Sequence, residues 1–212
     1  MNLAVFGATG GIGRQLVTQA LDEGHNVKAF VRDANRLAVA HPALAVITVP
    51  GLTDPALLGP ALKDSDAVLS AVGPRGRTAG PVTSTSIASI LRAMGSAAVS
   101  RIVAVSAVPV GPVPVGESVV NRWLLIPVLR KLLRDNYADL ATMESELQAS
   151  KMAWTVIRPP RLVDGPLTGH YRTALGGNVP GGSKISRADV AHAMLATLGR
   201  PETVGQALGV SD

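Results

Sequence analysis

Three glycines near the start of the chain, Gly7, Gly10 and Gly13, follow the apolar run Leu3-Ala4-Val5-Phe6 at G-x-x-G-x-x-G spacing. Arg14-Gln15-Leu16-Val17 then carries on as a helical pattern. That arrangement suits phosphate binding. Gly7 lets the chain turn sharply off a strand, and Gly10 removes a Cβ so that backbone N–H groups can approach a diphosphate. Gly13 lets the new helix pack close to the sheet, with the positive end of its dipole turned toward the phosphates. Thr9, Gly11, Ile12 and Arg14 complete the loop and join the glycines as candidate contacts to a nucleotide. A glycine-rich turn without a ligand is the competing reading; the strand pattern before the loop and the helix pattern after it weigh against that. Thiolate and disulfide chemistry are excluded, because Cys is 0. The 4 histidines, His25, His41, His170 and His192, show no metal-ligand spacing.

A loop of this kind needs a strand behind it and a helix in front, and the rest of the chain repeats that unit. Strand patterns are expected at 2–6, 26–31, 44–49, 67–72, 101–106 and 154–158, most of them continuous apolar runs of the sort covered on both faces. Helical stretches are expected near 12–23, 55–62, 83–97 and 186–198. The alternation implies an α/β fold of the Rossmann type: doubly wound, a mainly parallel sheet with helices on both faces. At 212 residues the chain is expected to form one domain, 1–212, whose C-terminal third supplies a substrate crevice. Val108-Pro109-Val110-Gly111-Pro112-Val113-Pro114-Val115-Gly116 reads as a loop directly after the fifth strand. Residues 119–133 are unusually apolar, in a run interrupted by Pro127 and far short of the ~20 residues of a membrane span. They read as a helix beside the crevice or as a partner-facing surface.

The first strand pattern begins right behind Met1, so no signal peptide is expected and the protein is expected in the cytoplasm. A formal net charge of +5 could suggest nucleic acid, but the basic residues are dispersed and only 3% of residues are aromatic. Stacking platforms are therefore missing. A small anionic molecule suits a diffuse positive field better, and the expected partners are a small-molecule redox acceptor and no nucleic acid or membrane. The chain is expected as a monomer or homodimer.

The opening GATGGIGR, the arginine of Phe30-Val31-Arg32-Asp33 and the segment Val156-Ile157-Arg158-Pro159-Pro160 resemble the atypical short-chain dehydrogenase, NmrA-like group. Asp164-Gly165-Pro166-Leu167-Thr168-Gly169-His170-Tyr171 and Lys184-Ile185-Ser186-Arg187-Ala188-Asp189-Val190-Ala191 resemble NADPH-dependent flavin reductases and biliverdin-IXβ reductases. The resemblance runs over nearly the whole chain and is weakest over 108–135. It implies a nicotinamide cofactor. Enzymes specific for NAD place an acid about 20 residues beyond the glycines, on the ribose 2′-hydroxyl. This chain carries Arg32 there, with Arg36 a turn further on. A guanidinium can pair with a 2′-phosphate through two parallel hydrogen bonds, so NADPH is expected over NADH. Arg14 is a second candidate, and Asp33 fits as the N-cap of a short helix.

By the same resemblance, Ala71, Val72 and Gly73 would pass close to the adenine ribose and diphosphate. The family's usual Gly-Asp pair after the third strand is replaced by Pro50-Gly51, which leaves the adenine contact open. Ser106 would stand beside the nicotinamide as the catalytic candidate, orienting carboxamide or substrate. Pro159 and Pro160 would shape the crevice wall, and Leu167, Thr168, His170 and Tyr171 would line the substrate side. Many short-chain dehydrogenases use a Tyr-x-x-x-Lys pair as proton donor. Here Tyr137 is followed four residues on by Ala141, so ketone reduction is disfavoured. Hydride transfer to a flavin, bilin or quinone-like acceptor needs mainly alignment. A non-catalytic NADP(H)-binding redox sensor is the alternative. A nucleotide-sugar epimerase, which needs the Tyr-Lys pair and a larger C-terminal domain, fits less well.

Overall fold

The computed structural model describes residues 1–73, 80–113 and 133–212. Its strands are β1 Asn2–Phe6, β2 Asn26–Val31, β3 Leu44–Thr48, β4 Ala67–Ser70, β5 Arg101–Val105, β6 Ala153–Arg158, β7 Arg161–Val163, β8 Arg172–Leu175, β9 Lys184–Ser186 and β10 Gln206–Ser211. The described helices are α1 Gly11–Asp22, α2 Pro55–Leu62, α3 Val82–Ala97, α4 Arg134–Ala149 and α5 Arg187–Ala196.

Eight strands form one sheet in the order β3-β2-β1-β4-β5-β6-β10-β8. All its neighbours run parallel except β8, which is antiparallel to β10. The order reverses beside β1, so the C-terminal ends of β1 and β4 border the crevice in which ligands of open α/β sheets are held. A small parallel pair, β7 with β9, lies outside the main sheet.

Both faces are covered because alternate side chains feed different cores. Leu3 and Val5 join one cluster with Leu16 and Val17 of α1 and Val190 and Met194 of α5. Ala4 and Phe6 join the other, with Ile87, Ile90 and Met94 of α3 and Met143 and Leu147 of α4. Phe6 stacks on Phe30 with ring centroids 4.3 Å apart. β1 and β4, apolar on both sides, are interior, as continuous apolar runs lead one to expect; β3, apolar as well, is instead the edge strand, with Val46 38% exposed.

The expected doubly wound sheet is present, and the expected elements lie within a residue or two of the observed ones. The fourth strand stops at Ser70, leaving Ala71, Val72 and Gly73 as irregular backbone at its end. The helix expected at 186–198 ends at Ala196 and tightens into a 3-10 turn over Thr197–Gly199. The proline-rich stretch after β5 opens with a 3-10 turn, Val108–Val110. Residues 119–132 of the apolar stretch fall outside the described residues. Among the described residues no helix is long and apolar enough to cross a membrane.

Candidate functional site

The glycine loop takes the form its spacing requires. Gly7 has φ +76°, a left-handed conformation that a side chain resists. A Cβ there would also meet the Ala71 carbonyl oxygen at 2.5 Å, so the turn off β1 is pressed against the end of β4. A Cβ on Gly13 would collide with the Gly7 carbonyl, which is the close helix-to-strand packing expected of it. Gly10 is the N-cap of α1, and its N–H donates to the Gly7 carbonyl at 2.9 Å. With no side chain there to cap them, the first amides of α1 have no acceptor inside the helix and face the crevice with the positive dipole end.

Beyond β2 the chain exposes Arg32, just ahead of a 3-10 turn over Ala34–Arg36, and Arg36, the last residue of that turn. Arg14 reaches over from α1, donating from Nη2 to the Arg36 carbonyl at 3.2 Å. Three guanidinium-bearing residues therefore gather where an NAD-specific site would carry an acid. Asp33 is not that acid. Its carboxylate accepts from the Asn35 amide at 3.0 Å, the N-cap role expected from sequence.

Ser106 follows β5 directly. It is 5% exposed, and its amide donates to the Ile157 carbonyl at 2.8 Å. Its hydroxyl has no hydrogen-bond partner among the described residues. An unpaired buried hydroxyl costs free energy unless a ligand or water meets it. Pro159 is buried next to it on the following strand end, and its carbonyl accepts from the Val108 amide at 3.0 Å. Pro160 is half-buried.

The segment after β7 is held from within. Asp189, in the first turn of α5, accepts from the Thr168 and Gly169 amides, both at 2.9 Å, and from the Thr168 hydroxyl at 3.0 Å. The Ser186 hydroxyl donates to the same carboxylate at 2.8 Å. Burial alone would raise the Asp189 carboxyl; the Ser186, Thr168 and Gly169 hydrogen bonds outweigh it and hold the group below the usual carboxylate range. Thr168 thus has an internal partner. The Tyr171 hydroxyl meets His192 Nδ1 at 2.7 Å, and burial, with the Asp189 charge adding, pushes its pKa up to about 12. Leu167 and His170 remain exposed. Tyr137 is half-buried on α4, and burial raises its phenol above the ordinary value.

Sequence reasoning passed over two features. Arg158, at the end of β6, makes a buried bidentate ion pair with Glu144 of α4, with Nε to Oε1 at 3.0 Å and Nη2 to Oε2. Asn178 donates to the Val108 and Pro112 carbonyls at 3.0 and 2.9 Å. Asn178 thereby ties down the backbone that follows Ser106, and the Arg158 guanidinium lies against Gly111 in the same stretch. In the sequence Arg158 stands only as part of a family motif, and no spacing pairs it with Glu144. The second feature is Arg187, the first residue of α5, whose side chain crosses Gly11. Only a fold that brings the starts of α1 and α5 together reveals it.

These residues fit a dinucleotide. The loop is a cradle that Cβ atoms would fill, the donors are helix-end amides, three arginines stand at the ribose end, and an unpaired buried hydroxyl stands at the other.

Residues 7–201 match the family described as NAD(P)H-binding. Over 71 residues, 34% of this chain and 22% of the other protein, the chain is 41% identical to the photosystem II assembly factor Ycf39 of Synechocystis sp.. It therefore spans only about a fifth of that relative's length. Among solved structures, a short-chain dehydrogenase/reductase from Veillonella parvula in complex with NADP superposes with TM-score 0.82 at 20% identity, covering 100% of this chain and 94% of that one. ChuY, an anaerobilin reductase from Escherichia coli O157:H7, superposes with TM-score 0.80 at 21% identity, covering 100% and 97%.

Proposed function

The chain belongs to the NAD(P)H-binding family, and on that premise we propose that it is an NADPH-dependent reductase acting on a flavin, bilin or quinone-like conjugated acceptor. The observation that carries this reading is the state of Tyr137. Its phenol is made a weaker acid by burial, and the position four residues on is Ala141. No lysine stands there to assist proton donation, so an acceptor that forms an alkoxide is poorly served. An electron-poor conjugated acceptor needs no such donor.

When bound, the cofactor supplies the hydride. The chain's own work is positioning. The first-turn amides of α1 hold the diphosphate, and Arg32, Arg36 and Arg14 hold the 2′-phosphate. Ser106, with its free hydroxyl, orients the carboxamide or the acceptor, and Pro159 and Pro160 close the wall. Leu167 and His170 bound the acceptor side. Thr168 and Tyr171, tied to Asp189 and His192, shape that side rather than contact the acceptor through free polar groups. A bilin is supported as an acceptor to test by the anaerobilin reductase among the structural neighbours.

NADPH oxidation followed by stopped flow with FMN, biliverdin and dichlorophenolindophenol tests the reading. Turnover is expected, Tyr137→Phe should stay within a few-fold of the parent, and simple ketones should not react. A loss of the roughly 10²–10⁴ typical of a deleted general acid would overturn the alignment-only mechanism. Binding of NADPH with no turnover on any acceptor would favour the redox-sensor reading.

A further inference from the structure

Gly7, Gly10 and Gly13 are each accounted for by the loop itself, and Gly11 is not. Its φ is not left-handed, and no backbone crowds it. What a Cβ there would meet is Arg187, with Cδ at 2.5 Å and Nε at 2.8 Å. The glycine at position 11 therefore makes room for an arginine laid flat across the first turn of α1.

That arginine stands in an unfavourable place for its charge. It is the first residue of α5, whose own positive end Asp189 already meets, and its side chain lies across the first turn of α1, whose positive end carries no such acid. Its side-chain ion pair is with Asp164 Oδ1 at 2.7 Å, where the aspartate side chain is 95% exposed and the arginine 31%. A pair so wet contributes little to folding. The end of α1 and a guanidinium converge on one point; Asp189 already meets the end of α5, and the one carboxylate on Arg187 itself is solvated, which leaves an excess of positive potential over the loop. A diphosphate, carrying two negative charges, matches it. Resting on the reading of the loop as a dinucleotide site, we propose that Arg187 is a diphosphate-binding residue, with Asp164 as the counterion that the diphosphate displaces.

Arg187 and Arg32 then divide the cofactor between them. Equilibrium titration of the whole chain, without acceptor, with NADPH, NADH and adenosine 2′-monophosphate separates their roles. Arg187→Ala should weaken NADPH and NADH alike, by roughly tenfold to a hundredfold, and leave the monophosphate, which has no diphosphate, unchanged. Arg32→Ala should weaken NADPH and the 2′-monophosphate and leave NADH almost unchanged. Asp164→Asn removes the competitor and should tighten both dinucleotides several-fold, and Gly11→Ala should mimic Arg187→Ala by pushing the side chain aside. Unchanged dinucleotide affinity in Arg187→Ala, with the Arg32 effect present, overturns this assignment and leaves the proposed cofactor site standing. A parent chain that binds neither dinucleotide overturns both. Should Arg187→Ala fail to fold, an Asp164→Asn variant whose affinity does not rise overturns the displacement.

Discussion

At the residue scale, the choice between two nearly identical cofactors comes down to which side chains meet one ribose oxygen. Arg32 is exposed, Arg14 reaches the Arg36 carbonyl, and Asp33 spends its carboxylate on the Asn35 amide. Losing a charge-assisted contact costs about 1.5–3 kcal/mol, or roughly tenfold to a hundredfold in affinity. Arg32→Ala should therefore weaken NADPH while leaving NADH almost unchanged, and equal losses in a fluorescence titration would refute the 2′-phosphate assignment. The glycines separate in the same way. A Cβ on Gly10 would meet only the Gly7 carbonyl, at 3.2 Å, from an extended backbone with φ −80° and ψ 170° that any residue adopts. Gly10→Val should fold with a melting temperature near the parent's and lose NADPH binding. Gly13→Val, which drives a side chain into the turn off β1, should fail at the level of folding. A Gly10→Val protein that binds normally would place the phosphates elsewhere.

At the element scale, helix ends are served by residues far away in sequence. The N-terminus of α3 has no cap of its own. Asp139 of α4 supplies one, accepting from the Thr83 and Ser84 amides at 2.7 and 2.9 Å and from the Ser84 hydroxyl at 2.5 Å. Removing that carboxylate strands buried donors, at about 1–3 kcal/mol. Asp139→Ala should lose that much in urea unfolding and Asp139→Asn part of it; a change below about 0.5 kcal/mol would mean that water takes over the cap. The same carboxylate explains what the sequence concealed. Residues 134–149 show little helical amphipathicity because the buried face includes Asp139 and Glu144 beside Met143 and Leu147. Where the inward residues are apolar, as in α1 with Leu16, Val17, Ala20 and Leu21, the period is plain. β10 was hidden differently. Gln206, Gly209 and Ser211 break its apolar run, and Gly209 is required by the approach of the Gly177 carbonyl, at 2.5 Å from a Cβ built there. No local pattern announces a contact between segments so far apart.

At the scale of the molecule, the parallel sheet from β3 through β6 was legible because its strands are nearly continuous apolar runs, and the glycine loop marked where its open end must be. The last two strands were not, because their buried Ile185, Leu208 and Val210 are flanked by polar residues and glycine, and the segment leading to them is held by polar bonds to the main body. Those bonds make the C-terminal third sensitive to pH at both extremes. Asp189 has its carboxyl held below the ordinary 3.8, so its contribution to stability is complete above that value and lost as pH falls through the lower, folded one. Tyr171 is displaced the other way, from 10.0 to about 12. Its contribution is complete below pH 10.0, declines as the unfolded chain ionises, and is gone above about 12. Because both groups fasten the segment over 164–175 to α5, melting curves across pH should show them separately. The stability advantage of the parent over Asp189→Asn should hold through neutral pH and shrink below 3.8. Its advantage over Tyr171→Phe should hold up to pH 10.0 and narrow toward about 12. An advantage over Asp189→Asn that stays constant into strong acid would show that the carboxylate's hydrogen bonds to Ser186, Thr168 and Gly169 do not favour its charged form.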